Sequence, residues 1–189
     1  GIPVEFLKKL GIKEVNNGVL IPYFDTNGKP GRQRKRTHIV ATEGSYWEGK
    51  GQIIPYGLWL MAEMDMIEEL AIVEGESDPW TLWYCGNYHA LGIPGAQMAK
   101  VLQAEHVKGI ERLCLIEESD KGGEAFVKGM LTRLNEIGYQ GEIRIAKMEE
   151  TGVKDINDLY RKLGKEKFKE AYHILLSQVI PTNIAKETP

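Results

Sequence analysis

Two short stretches concentrate carboxylates where a folded chain can use them. One reads Glu74-Gly75-Glu76-Ser77-Asp78, the other Glu118-Ser119-Asp120. Each follows an apolar run, 70–73 and 113–116, of the kind that makes a buried parallel strand. In open α/β sheets the chemistry collects beyond the carboxyl ends of the strands. Glu118 and Asp120, two apart, project from one side of an extended segment. Carboxylates converging in one crevice repel one another unless a cation lies between them. Hard oxygen donors of this kind suit Mg²⁺ or Mn²⁺, which bind phosphates directly. Gly75 and the pair Gly122-Gly123 leave room for a phosphate or ion at backbone amides. The bland alternative is that each acid is a helix N-cap or a solvated turn residue. Asp78, followed by Pro79, is itself a good N-cap with Pro at the first helical position.

The cations are just as unevenly placed. Between Lys29 and Arg36 the chain reads KPGRQRKR, five positive residues and no negative one. An apolar strand at 19–24 precedes it, then Asp25-Thr26-Asn27-Gly28, a hairpin signal because Asn-Gly tolerates positive φ. The returning strand is expected at about 33–42. Arg32, Arg34, Lys35 and Arg36 are candidates for a nucleic-acid backbone or a triphosphate, with Arg34 and Arg36 on one face. A solvated charge run is the bland alternative. Lys121, directly after Asp120, is a further phosphate candidate. Gly44-SYWE-Gly49-Lys50 mimics a phosphate-binding loop but places Gly51 where Ser or Thr must stand, and no clear strand opens it. Lys50 is retained as a possible phosphate or template contact.

These residues need a scaffold, and the pattern supplies one. Helices are expected at 4–10, 58–69, 78–86, 97–107 and 122–137, strands at 70–73, 89–93, 112–116 and 142–146. Two more helices are expected at 155–163 and 165–177, before a frayed tail at 181–189. Strand–helix alternation with short loops implies βαβ units and a parallel sheet. Trp80, Trp83 and Tyr84 have core spacing, which outweighs base stacking. Met61, Met64 and Met66 read as packing. Cys85 and Cys114 read as buried thiols. His38, His89, His106 and His173 lack metal-ligand spacing.

Composition sets the bounds. The chain has 189 residues, 42% hydrophobic and 27% charged, which excludes disordered, collagen-like and coiled-coil classes. Two cysteines outside any CxxC pair exclude a zinc ribbon and a disulfide scaffold. No signal peptide or membrane-length apolar run is present, so a cytoplasmic protein without a membrane partner is expected. The first residue is Gly1 rather than Met, so a fragment is expected. A net charge of −3 by itself argues against a nucleic-acid partner. Its distribution argues the other way: acids at two strand ends, where divalent cations would offset them, and cations in one hairpin.

The segments resemble a known series. Leu70-AIVEGESD-Pro79 resembles the first motif of the Toprim domain, shared by bacterial-type primases, type IA and II topoisomerases and some nucleases. Leu113-CLIEESDKGGEA-Phe126 resembles its second motif, normally Asp-x-Asp, with Glu118 in place of the first Asp. Leu91-GIPG-Ala96 resembles the turn between them. Val19-LIPYFDTNG-Lys29, Pro55-YGLWL-Met61 and Lys154-DIND-Leu159 resemble flanking segments of bacterial and phage primases, with Ile156 replacing a usual Pro. The resemblance spans about residues 15–160. It implies a Toprim (Rossmann-like), mostly parallel α/β sheet flanked by helices. A small N-terminal α+β subdomain (1–57) would precede the Toprim domain (58–149), and a C-terminal helical segment (150–189) would follow it. It implies nucleotidyl transfer by a DNA primase polymerase core of phage, plasmid or mobile-element type, with Glu74 as catalytic acid/base and metal neighbour. Glu118 and Asp120 would hold Mg²⁺ or Mn²⁺, two ions, with Asp78 and Asp155 nearby. The implied partners are a single-stranded DNA template, nucleoside triphosphates and a replicative helicase or fused helicase domain. Two alternatives stand beside it: a Toprim nuclease or topoisomerase piece, and a non-catalytic module binding single-stranded DNA or a helicase.

Overall fold

Wholly apolar strands in the middle of the chain organise the molecule. In the computed structural model, which describes residues 1–37, 44–62 and 67–182 with the side chains of 180–182 excepted, β5 (Glu69–Glu74) and β7 (Arg112–Glu117) lie side by side and parallel. Their side chains alternate between two cores. Leu70, Ile72, Leu113 and Leu115 enter one, Ala71, Val73, Cys114 and Ile116 the other. β6 (Ala90–Ile93) flanks β5 and β8 (Glu142–Lys147) flanks β7, both parallel, and β9 (Ile180–Thr182) closes the sheet antiparallel.

Helices cover both faces. On one lies α3 (Ser77–Gly86) with α5 (Ile156–Ser177), on the other α4 (Lys121–Glu136). α4 buries Phe126, Val127, Met130 and Leu134, an apolar stripe at helical spacing. α5 is broken at Gly164, where φ 74° and ψ 171° are non-helical, matching the expected pair of helices. A second, antiparallel sheet precedes this layer, in the order β1 (Lys13–Val15), β2 (Gly18–Phe24), β3 (Pro30–Arg36), β4 (Ser45–Glu48). It turns Ile21 and Tyr23 into the core that α3 and α5 also share. α1 (Val4–Lys9) and α2 (Leu58–Met61) complete the elements.

Several expectations are corrected. The expected 58–69 helix is only α2, and Glu69 opens β5 instead. Residues 63–66, with Met64 and Met66, lie outside the described residues, as do His38 and positions 38–42 of the expected returning strand. The expected helix at 97–107 is two 3₁₀ turns, Ala99–Val101 and Ala104–Val107, separated by extended Leu102 and Gln103. Asp78 is not the N-cap of α3. Gly75 takes φ +72° and the helix is entered at Glu76, so Asp78 falls inside the first turn. Of the expected frayed tail, Pro181 and Thr182 pair with β8, and 183–189 lie outside the described residues. The core readings hold for Trp83, Cys85 and Cys114, all buried. Gly44-SYWE-Gly49-Lys50 is a strand and a bend with no helix after it, so the loop mimicry ends there.

Candidate active site

β5 and β7 run parallel, so their carboxyl ends deliver Glu74 and Glu118 to the same edge of the sheet. Two glycines make the packing there possible. A Cβ on Gly92 would fall 1.9 Å from the Gly75 carbonyl oxygen, so the β5 exit can cross β6 only above a glycine. A Cβ on Gly123 would fall 2.1 Å from the Glu118 carbonyl oxygen. The space at Gly123 is therefore taken by the chain itself, which corrects the expectation that Gly122-Gly123 leaves room for a ligand. Gly75 has nothing within 4 Å of its Cβ position and lines the cleft.

That cleft measures about 690 Å³ and is lined by Glu74, Glu118, Asp155 and Lys154 together with Arg34 and Arg36. Asp120 reaches it through Lys154, whose Nζ lies 3.0 Å from Glu118 Oε2 and 3.3 Å from Asp120 Oδ2. The bland and functional readings of the acids coexist. Asp120 Oδ1 accepts from Gly123 N–H at 3.0 Å and caps α4, while its other oxygen faces Lys154. Asp155 caps α5, accepting from Asp158 N–H at 2.7 Å. Asp78, 2% exposed, accepts from Asn157 N–H at 3.0 Å and Ile156 N–H at 3.4 Å, so it ties α3 to the start of α5.

Crowding shows in the protonation equilibria. Burial pushes the Glu118 carboxyl up to about 7; Lys154 opposes the shift, and Glu74 and Asp155 add to it. Burial raises Glu74 as well, against an Ala96 N–H and Lys154. Asp78 is held well above the carboxylate range by burial, then by Asp155 and Glu118. Burial also raises Asp155. Asp120 is lowered: its slight burial is outweighed by the Gly123 N–H and Lys154. Burial works against the Lys154 ammonium, but Glu118 and Asp120 more than offset it and hold it well up.

Among the described residues, no three His, Cys, Asp or Glu groups already converge as a ready cage. The donor set still fits a hard divalent ion. Glu118 and Asp120 straddle a cation, the Lys154 ammonium, and Glu74 and Asp155 add further oxygen donors to the same cleft.

The basic candidates separate. Arg34 and Arg36 share a face, as expected, and both turn to Glu76. Arg34 Nη1 donates to Glu76 Oε1 at 3.1 Å and to the Pro94 carbonyl at 3.0 Å, and its guanidinium lies 5.6 Å from the Trp47 ring centroid. Arg36 Nη1 lies 3.9 Å from Glu76 Oε2. Lys35 turns to the opposite face and meets Glu48 at 3.9 Å. Arg32, Lys35 and Lys50 do not line the cleft; Lys50 sits on an exposed bend. Lys121 borders an adjoining groove with Glu118 and Asp120.

Two residues with clear positions escape the sequence reading. Glu76 is 1% exposed and also accepts from Tyr23 Oη at 2.6 Å. Its only linear signal is the Glu-x-Glu spacing. Lys154 is signalled only by adjacency to Asp155.

No family model matches the chain, and no curated protein matches its sequence. Solved structures do match its shape. A DnaG primase catalytic domain bound to single-stranded DNA superposes with TM-score 0.66 at 21% identity, over 87% of this chain. This chain spans 52% of that one, about half its length. A chain in the structure of the bacteriophage T7 lagging-strand DNA polymerase interacting with primase domains of two gp4 subunits bound to an RNA/DNA hybrid and dTTP gives TM-score 0.74 at 21% identity, covering 96% of this chain and 90% of that one. The primase fragment of the bacteriophage T7 primase-helicase protein gives 0.67 at 21% identity, with 90% and 70% covered. The chain thus has the mixed α/β, Toprim-type fold of bacterial and phage primase catalytic cores.

Proposed function

We propose that this chain is the polymerase core of a DNA primase, joining nucleotides into primers on a single-stranded DNA template. The carrying observation is the meeting of Glu74, Glu118 and Asp155 with Arg34 and Arg36 in one cleft, on a fold otherwise seen in primase cores. Glu74 would serve as the acid/base group. Its carboxyl, raised by burial, is a better proton acceptor for an attacking 3′-hydroxyl than an ordinary exposed carboxylate. Glu118 and Asp120 would hold Mg²⁺ or Mn²⁺, two ions in the family's pattern, with Asp155 beside them and Asp78 fixing the α3–α5 contact behind them. Bound there, such ions supply Lewis acidity for the hydroxyl and charge stabilisation for the phosphoryl oxygens. Arg34 and Arg36, held by Glu76, would meet the triphosphate. Arg32, Lys35, Lys50 and Lys121 lie outside the cleft and suit a template backbone better than a nucleotide.

The division into 1–57, 58–149 and 150–189 is retained as functional: basic sheet, acidic sheet edge, and a helical segment whose first turn supplies Asp155. A replicative or fused helicase is the proposed partner, by analogy with the T7 primase-helicase. No described helix is long and apolar enough to cross a membrane.

The test is primer synthesis by the chain on single-stranded DNA with nucleoside triphosphates, with and without Mg²⁺ or Mn²⁺. Metal-dependent, template-dependent oligomers are expected. Nicking of plasmid DNA without nucleotides would point to a Toprim nuclease, and DNA binding with neither activity to a non-catalytic module.

A further inference from the structure

Lys154 has no role in the reaction as described, yet it stands at its centre. Its Nζ bridges Glu118 Oε2 at 3.0 Å and Asp120 Oδ2 at 3.3 Å. The main chain fixes this placement. The Ser119 N–H donates to the Lys154 carbonyl at 3.0 Å, which ties the exit of β7 to the entry of α5. Asp155, the next residue, is anchored by capping α5. Lys154 is thus held opposite both acids from two sides, and its side chain, 52% exposed, remains able to swing.

We propose that Lys154 is a built-in competitor for the divalent ion. Its ammonium neutralises Glu118 and Asp120, and an ion taken up by those carboxylates has to drive it out. This rests on the divalent reading of the site given above. A displaced ammonium stays in the cleft with Arg34 and Arg36, where an anionic ligand is its natural next partner. The device keeps the carboxylates apart in charge while the site awaits its ion, at the expense of ion affinity.

A purely structural ion pair predicts something different. Removing it would loosen the site, and divalent binding would stay the same or weaken. A competitor predicts opposite signs for two readouts. Without added metal, Lys154→Met loses the only cation that touches both acids among the described contacts, so its melting temperature falls. Mn²⁺ binding, measured by calorimetry on the full chain without nucleotide, tightens by roughly threefold to fivefold, the upper part of the range for a partly exposed ion pair. Mn²⁺ then raises the melting temperature of Lys154→Met more than that of the wild type. Lys154→Arg keeps the charge and should stay within about twofold of wild-type affinity. Lys154→Gln serves as a second neutral variant if Lys154→Met does not fold by circular dichroism.

Equal or weaker Mn²⁺ binding by the neutral variants overturns the proposal while leaving the divalent site standing. Absence of Mn²⁺ binding in wild type and variants alike overturns both.

Discussion

Glu76 offers the sharpest test of how the cleft is held. Its carboxylate is 1% exposed and gathers three groups: Tyr23 Oη at 2.6 Å, Arg34 Nη1 at 3.1 Å and Arg36 Nη1 at 3.9 Å. Burial, then Glu76, keeps the Tyr23 hydroxyl far from ionising, so it stands as a donor to Glu76. Glu76→Gln keeps the size and one carbonyl acceptor but removes the charge. A hydrogen bond to a charged group contributes about 1.5–3 kcal/mol against about 1 kcal/mol for a neutral one. Two such bonds downgraded, with Arg34 and Arg36 left facing each other, cost about 2–4 kcal/mol, near the range for breaking a buried ion pair. For a chain of this size that lowers the melting temperature by about 5–15 °C. Thermal and urea unfolding followed by circular dichroism measure it. Arg34→Gln in the Glu76→Gln background should cost less than the two single changes summed, by about 1 kcal/mol or more. A melting temperature within 2 °C of wild type for Glu76→Gln, or strict additivity in the cycle, would refute this account of the arginine face.

Three further outcomes are expected. Asp78→Ala strands two N–H groups at the start of α5, one buried and one part-buried, and should lower urea stability by about 2–4 kcal/mol; a change near zero would show that α5 holds itself. Cys85 and Cys114 are buried, and burial pushes their thiols up to about 11 and about 12, so at pH 8 both should resist a disulfide reagent until urea is added, and rapid native reaction would contradict it. The Glu118 carboxyl, pushed up to about 7, is protonated at pH 6 and ionised at pH 8. Mn²⁺ binding should therefore tighten across that window with proton release, while stability without metal falls as pH climbs from the ordinary carboxylate range towards 7. A flat binding profile between pH 6 and 8 would remove Glu118 from the ion site.

The sequence was most legible where a residue's fate depends on its neighbours along the chain. β5 and β7 are apolar on every inward position, so their burial on both faces, and the delivery of Glu74 and Glu118 to one edge, follow from the run itself. The break in α5 was legible because Gly164 separates two apolar stripes. Residues 97–107 mislead because apolar Met98, Val101 and Leu102 stand at i, i+3 and i+4, the spacing of one helical face. Extended Leu102 and Gln103, with Arg133 donating to the Leu102 carbonyl at 2.8 Å, override it. Asp78-Pro79 looked like a helix start by local rules, but Asp78's partners Ile156 and Asn157 lie far along the chain. Glu76 and Lys154 were missed for the same reason. Nothing local reveals that Glu76 will meet two arginines of another sheet, or that Lys154 will span two acids.

Everything proposed for this cleft depends on Glu74 driving metal-dependent nucleotidyl transfer there. The direct measurement is template-dependent primer synthesis by wild type and Glu74→Gln, with circular dichroism and Mn²⁺ calorimetry run on the same preparations. Glu74→Gln is expected to fold and still bind Mn²⁺ through Glu118 and Asp120, yet make no primer. Primer synthesis at the wild-type rate by Glu74→Gln would contradict it.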